Sequence, residues 1–350
     1  MHHFTAHRLI IRGTVAQPLL LNEHKGSALR GALYHNLRNR FCSLRDQVPD
    51  CTTCPLAAVC PVCTLVSTMG PDNRLGRDAA RPYTIQPPLP SLFLSTDYGE
   101  QPWQRWDDLK TRYEAGEPFH FGLTLYGDAL RLFPYVVMAI QGLEEAGLGR
   151  AVPENAWRRG TIHLEEIRAQ NPLTGETALV SRAGEPMVQM PDIPITHEQV
   201  LAHSRQLEGY RELTLTLLTP TRLTHRQRLV KPRGLTLAIL LGRLLDRLES
   251  LAQHFAATPH EGTQRSALNY AALVAQARKG RTAQNETFWV ELRSYSTRQR
   301  RATPIGGLVG RVTFVAEDWA PFLPWLIWGQ FTHVGKDAVK GNGWYRLEEA

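Results

Sequence analysis

Cys42, Cys51, Cys54, Cys60 and Cys63 are all the cysteines of a 350-residue chain, and they fall within 22 residues. Two Cys-x2-Cys pairs let single loop turns present two sulfurs to one ion, and a tetrahedral zinc site uses four thiolates. The cluster predicts a structural zinc ahead of an iron–sulfur cluster. Disulfides are the weaker account in a chain with no export signal. No histidine or carboxylate pattern suggests an open coordination position, so the metal is not expected to do chemistry. Which four of the five thiols bind is left open by the spacing.

Three further stretches carry reactive or cationic side chains. GSALRGALYHNLRNR puts Arg30, Tyr34, His35, Arg38 and Arg40 on one segment that starts after a glycine. His35 lies one residue off the Ala28–Ala32 line, at the edge of the apolar face, where an imidazole could work as an acid or a base. RSYSTRQRRATPIGG places Arg293, Arg298, Arg300 and Arg301 around an expected hairpin tip, and guanidinium forks suit phosphates. HVGKDAVKGNGWYRL crowds three glycines with Lys336 and Lys340 into nine residues after His333. Backbone N–H groups beside ammonium groups suit an anion. It is not a nucleotide loop, because no Gly-Lys-Ser/Thr leads into a helix.

The elements that must position these groups read as follows. His7 to Val15 alternates like a strand, and Ala28, Leu29, Ala32, Leu33 and Leu37 make one face of a helix over about Ser27 to Phe41. The cysteine-rich insert follows, then the extended, proline-rich RPYTIQPPLPSLFL, then a strand, a Gly-Asp turn and a helix in FHFGLTLYGDALRLFPYVVMAIQGLEEAGLG. Residues 155–195 read as polar strands and turns, and His197–Gly209 as a break. Beyond it RELTLTLLTPTRL is a strand, GLTLAILLGRLLDRLESLAQHF an amphipathic helix, TFWVELRSYSTRQRRATPIGGLVGRVTFVAE a hairpin, APFLPWLIWGQFTHV a short helix and GWYRLEE a last strand. That β-α-β-β-α-β order is ferredoxin-like, and the first half shows a looser version.

The fold class expected is therefore α+β, with two ferredoxin-like (RRM-like) domains in tandem. Their expected bounds are 1–205, with the metal-binding cysteine insert at 42–63, and 206–350. A hydrophobic content of 43% supplies both cores. The net charge of +7, from 40 Lys and Arg against 33 acids, favours a polyanionic partner. MHHFTAHRLIIRGT already alternates like a strand and gives no export h-region, and Leu235–Leu248 contains Arg243, Asp246 and Arg247. A soluble, cytoplasmic protein with no membrane partner is expected.

Taken in order, GSALRGALYHNL, C-x8-C-x2-C-P-L-x3-C-P, LTLLTPTRL, GGLVGRVTF and HVGKDAVKGNGWYRL resemble the CRISPR-associated protein six family. These are precursor CRISPR RNA endoribonucleases of the RAMP superfamily, here of the branch with a cysteine-rich insert. The resemblance runs from about residue 6 to residue 348. It implies tandem ferredoxin-like domains, a glycine-rich tail near the RNA, and metal-independent cleavage of repeat RNA leaving a 2′,3′-cyclic phosphate and a 5′-hydroxyl.

A histidine on the first helix is a common catalyst in that family, and His35 is the residue that matches. The resemblance assigns His35 as general base or acid and Lys336 or a nearby arginine as electrostatic stabiliser. Arg298, Arg300 and Arg301 would lie on the stem backbone with Arg30, Arg38, Arg293 and Lys340 as further RNA contacts. His333, Tyr34 and Lys25 are additional catalytic candidates. Two departures from the family pattern stand out. Asp337 replaces the second glycine of the tail, which points to a packing turn. Val62 and Cys63 follow Cys60-Pro61, which sets Cys63 aside and leaves Cys42, Cys51, Cys54 and Cys60 as zinc ligands. The partners implied are CRISPR repeat RNA and effector-complex subunits. The rival reading is a non-catalytic RAMP subunit that holds guide RNA in an effector complex.

Overall fold

The structure is a computed structural model and describes residues 1, 3–48, 51–66, 80–89, 110–256, 269–296 and 301–350. Arg298 and Arg300, expected at a hairpin tip, lie outside the described residues, as does the proline-rich stretch beyond Leu89. The chain divides into two compact units. One comprises Thr5–Pro88 and Lys110–Pro194, the other Ile195–Ala350 with Met1–Phe4 and Leu89.

The first unit is built on β1 (Ala6–Val15), α1 (Lys25–Phe41), β2 (Tyr83–Gln86), β3 (Pro118–Tyr126), α2 (Phe133–Gln141), β4 (Ile162–Gln170) and β5 (Thr177–Arg182). Its sheet order is β2-β3-β1-β4-β5, with every neighbouring pair antiparallel. The first four strands with the two helices are the βαββαβ arrangement. Leu9, Ile11 and Val15 of β1 are buried, as the alternation of AHRLIIRGTV requires. On α1 the buried residues Leu29, Ala32, Leu33, Asn36 and Leu37 recur at three- and four-residue steps. Asn36, buried with them, donates from Nδ2 to the Ala139 carbonyl at 2.9 Å and so locks α1 to α2. An added Cβ at Gly142 would lie 2.9 Å from that amide, so this crossing needs glycine.

The second unit opens with α3 (His197–Leu207), where the sequence suggested a break. A capping box starts it: Thr196 accepts from the Gln199 N–H, and the Gln199 side chain accepts from the Thr196 N–H. The boundary between units accordingly falls at 194/195 rather than 205/206. There follow β6 (Glu212–Thr221), α4 (Leu237–Phe255), α5 (Tyr270–Ala277), β7 (Arg281–Asn285), β8 (Phe288–Val290), β9 (Arg293–Ser296), β10 (Arg301–Pro304), β11 (Gly307–Val315), α6 (Leu323–Thr332) and β12 (Tyr345–Glu349). The sheet runs β7-β11-β6-β12 with β8 also on β11, again antiparallel and again ferredoxin-like.

The nine buried residues of α4, from Leu237 to Phe255, form its core face. Trp325, Trp328, Leu326 and Ile327 of α6 are buried with them. The Tyr345 hydroxyl of β12 donates to the Leu326 carbonyl at 2.6 Å, fixing α6 against the sheet. Arg293 starts β9 and pairs with Pro304 of β10, and Arg301 pairs with Ser296, so the expected arginine hairpin has its register. Among the described residues no helix is long and apolar enough to cross a membrane.

Candidate functional site

In the first unit, a half-buried face of α1 beside its buried stripe carries a stacked set of cations around one phenol. Arg30, Tyr34 and Arg38 stand at four-residue steps and so lie one above another. The Arg30 guanidinium sits 5.8 Å from the Tyr34 ring centre, and Arg38 donates from Nη1 to the Tyr34 hydroxyl at 3.2 Å. The His35 ring meets Tyr34 edge-on at 5.4 Å. His35 is exposed, and burial of part of its ring, with the charges of Arg159, Arg38 and Arg30, holds its imidazole below the ordinary 6.5. A histidine neutral near pH 7 is a ready proton acceptor.

Arg38 is committed within the protein. Its Nη2 donates to the carbonyls of Arg45 and Val48 at 2.8 and 2.7 Å, closing the turn that follows α1. Arg40 pairs with Glu145 at 3.0 Å. Arg159, which the sequence reading passed over, comes from the strand Arg158–Gly160, and its signal was the Arg-Arg pair ahead of a glycine. Lys25 opens α1 at 2% exposure, where burial pushes its ammonium down to about 8 against the opposing pull of Glu23.

The cysteines gather beside the C-terminal end of α1. The Cys63 thiol shares hydrogen bonds with both Cys51 and Cys60, and the charge of Cys42 bears on Cys51. Burial, more than these neighbours, raises the thiols of Cys51 and Cys63. Cys63, set aside on the family pattern, is thus the thiol common to two contacts. Cys63 is buried on the short helix Pro61–Val66, whereas Cys54 is half-buried in the loop. Among the described residues no three side chains of ligating type already stand in a metal-holding arrangement.

In the second unit, the glycine-rich tail folds onto its own chain. Lys336 donates its backbone N–H to the Arg222 carbonyl at 3.0 Å, and Gly335, at φ +86°, passes so close that a Cβ would sit 2.6 Å from that oxygen. Gly343, at φ +72°, packs on the Val334 carbonyl and donates to Pro220 at 3.1 Å. Asp337 takes a left-handed φ of +62° and pairs with Lys340 at 2.8 Å. The glycines therefore serve a packing turn, and Lys340 neutralises Asp337. Lys336 is exposed.

His333, also a catalytic candidate, is fully buried at φ +61°. Its Nδ1 donates to the Asn342 carbonyl at 3.2 Å, and its ring stacks on Trp344 at 6.1 Å and 9°. An imidazole enclosed in its own loop is a structural pin, not a group that reaches an exposed phosphate. Asn342, itself buried, donates from Nδ2 to the Ile305 carbonyl at 2.9 Å and ties the loop to the base of the β9–β10 hairpin.

Arg222 is the hub of this surface. Its Nη1 donates to the Gly306 carbonyl at 2.9 Å, and its guanidinium lies 5.7 Å from the Trp289 ring centre, with the Lys231 ammonium 3.4 Å from the same ring. Directly after it comes a two-residue-turn hairpin in which Thr224–His225 pairs with Arg228–Leu229. Arg226 and Gln227 hold φ of +48° and +63°, the left-handed pair of a type I′ turn. Such turns favour Asn-Gly, and here both positions carry long side chains. His225, Arg226 and Arg228 are exposed, and no acid interrupts the run from Arg222 to Arg233. That acid-free run was the sequence signal for this basic hairpin.

Residues 215–345 match the family model of the CRISPR-associated endoribonuclease Cas6, and residues 4–193 match a family described as an N-terminal domain, AF_1859_N. No curated protein matches the chain. Among solved structures, a partial Cas6-RT-Cas1–Cas2 complex aligns at TM-score 0.58 and 15% identity over 99% of this chain. The alignment covers 46% of that structure's chain, so this protein spans about half its length. A Cas6 product complex aligns at TM-score 0.51 and 14% identity over 98% of this chain and 99% of the other. Thermus thermophilus Cas6 aligns at TM-score 0.50 and 14% identity over 99% of both. At such identities the likeness shows the fold alone, and it is the fold already described: two antiparallel ferredoxin-like sheets, each with its pair of helices. The second of these carries the residues that match the Cas6 model, and with the first, which matches over more than half of its length, this chain belongs to the family described as AF_1859_N.

Proposed function

We propose that the protein is a repeat-specific endoribonuclease that cuts precursor CRISPR RNA to guide length without a catalytic metal. The observation that carries this reading is the exposed His35, held neutral in a setting of arginines on α1. The ribose 2′-hydroxyl gives its proton to the His35 imidazole as its oxygen attacks the adjacent phosphorus. The P–O5′ bond breaks, and the departing 5′-oxygen takes up a proton. A 2′,3′-cyclic phosphate and a 5′-hydroxyl result. Arg30 and Arg159, which raise the positive potential at His35, offset charge gathering on the phosphorane oxygens. Tyr34, clamped between Arg30 and Arg38, positions the imidazole, and its hydroxyl proton stays available for donation. On the second unit, Lys336 and the basic hairpin after Arg222 bind RNA phosphates, joined by Arg293 of β9 and, on the sequence expectation, by Arg298, Arg300 and Arg301. Association with effector-complex subunits belongs to the same reading.

The cysteine cluster is proposed as a structural zinc site. Its donors are all thiols, and Cys51 and Cys60 each hydrogen-bond to Cys63, a donor type that suits zinc when deprotonated. Cys51, Cys60 and Cys63 would hold the ion with Cys42, the remaining thiol whose charge reaches Cys51. The ion would fix the insert behind α1. The test of the activity is incubation with a labelled repeat RNA in EDTA, followed by mapping of product ends. A single cut with a cyclic phosphate supports it. Intact RNA bound tightly would favour the guide-holding subunit instead.

A further inference from the structure

Trp157 is 73% exposed, whereas most large apolar side chains of the described residues are packed. It ends the turn between two paired strands, Leu148–Val152 and Arg158–Gly160. Ala156 and Trp157 take φ of +53° and +58°, left-handed values that are unusual for a bulky side chain. Glycine would hold the same turn with less strain. An indole that is both unburied and strained adds nothing to the core that its place in the fold would explain.

The turn is nevertheless fixed. The Trp157 N–H donates to the Val152 carbonyl at 3.1 Å, the Ala156 N–H to Pro153 at 2.9 Å, and Asn155 Nδ2 to Pro18 at 2.9 Å. Glu154 accepts from Arg112 at 3.1 Å. The indole is thus displayed on a rigid mount, which lowers the ordering cost of using it. Among the described residues, its ring stacks on no aromatic side chain and lies under no cation. Arg158 and Arg159 follow it in the strand and are exposed, and neither forms an ion pair with a described residue. Leu20 pairs with Arg150, so the strand carrying this turn is hydrogen-bonded to the segment that leads into α1 and His35.

A bare aromatic plane flanked by free guanidiniums matches the two surfaces of a single-stranded nucleic acid, a base face and its phosphates. We propose that Trp157 is a stacking platform for one unpaired base of the RNA, with Arg158 on the adjoining phosphate. This rests on the RNA-cleaving reading and adds to it a contact for a nucleotide outside any paired stem. Trp157 is a positioning residue, since it touches the substrate away from the reacting atoms.

The experiment measures binding of a repeat RNA to the full chain, to Trp157→Ala and to Trp157→Phe, with melting temperatures for each. Alanine is expected to weaken binding about 5- to 150-fold, the usual range for loss of one stacked base, while phenylalanine keeps most of the affinity. An abasic scan through the unpaired nucleotides adds a second arm. At one position the lost base should weaken the native protein and leave Trp157→Ala no worse, since the partners are then both gone. Equal affinity of Trp157→Ala and the native protein overturns the stacking contact while leaving the nuclease reading in place. Failure of the native protein to bind repeat RNA overturns both. Trp157→Gly should raise the melting temperature and weaken RNA binding together, and a variant that lowered both would mark a structural role instead.

Discussion

The backbone N–H of Lys336 meets the carbonyl of Arg222 at 3.0 Å, and this one hydrogen bond joins the glycine-rich tail to the start of the basic hairpin. The glycine beside it is there for the approach of two backbones. Gly335→Ala brings a Cβ within 2.6 Å of the Arg222 oxygen at a φ of +86°, so it should cost roughly 1–3 kcal/mol of stability. Thermal unfolding of the variant checks this, and an unchanged melting temperature would detach the tail from Arg222.

Arg226 and Gln227 present the opposite trade. Glycine at either position relieves left-handed strain of about 1 kcal/mol and should raise the melting temperature slightly. If the hairpin grips RNA, Arg226→Gly should also weaken binding. The slope of log affinity against log salt should become shallower by about 0.7 to 0.9 for one lost phosphate contact. Binding isotherms across a salt series report both.

Acid–base behaviour follows from the arginines around His35. Because burial and then Arg159, Arg38 and Arg30 lower its pKa, kcat/KM should rise with pH on a limb centred below 6.5. Arg159→Met removes the largest of those charges, so the limb should shift toward 6.5. A shift in the other direction would assign the limb to another group.

His7 supplies a stability counterpart. Burial lowers its pKa from 6.5 to about 4, so between those values the unfolded chain takes up a proton that the folded chain refuses. The contribution is whole above pH 6.5 and is lost as pH falls through that window. Urea midpoints of the native protein should decline from pH 6.5 toward 4, and those of His7→Gln should decline less.

Zinc content tests the proposed cysteine site. Cys63→Ser should lose bound zinc and lower the melting temperature, whereas Cys54→Ser should keep about one ion per chain. Equal loss in both variants would restore Cys54 to the ligand set.

The fold of the second half was legible because its strands and helices are long and strongly patterned, as the buried stripe of α4 illustrates. In the first half, β2 is only four residues long and β4 reads IHLEEIRAQ, whose polar outer face hides its pairing with β1. Helix α3 reads as a break in the sequence because its signal is the Thr196–Gln199 capping box rather than an apolar run. His35 and its helix were visible from spacing. The enclosure of His333 was not, since nothing local to HVGKDAVKG tells that Asn342 and Trp344 close around the ring. The bearing of Arg159 on His35 leaves no such signal, because a hairpin between the main strands brings its charge to His35, and an interaction so distant in sequence leaves no periodicity.

The most direct test compares cleavage of a repeat RNA by the native protein and by His35→Ala, in EDTA, alongside the affinity of each for uncut RNA. The account predicts that alanine slows cutting roughly 100- to 10,000-fold, the worth of one general base, with binding nearly unchanged. Cutting at the native rate by His35→Ala would contradict it.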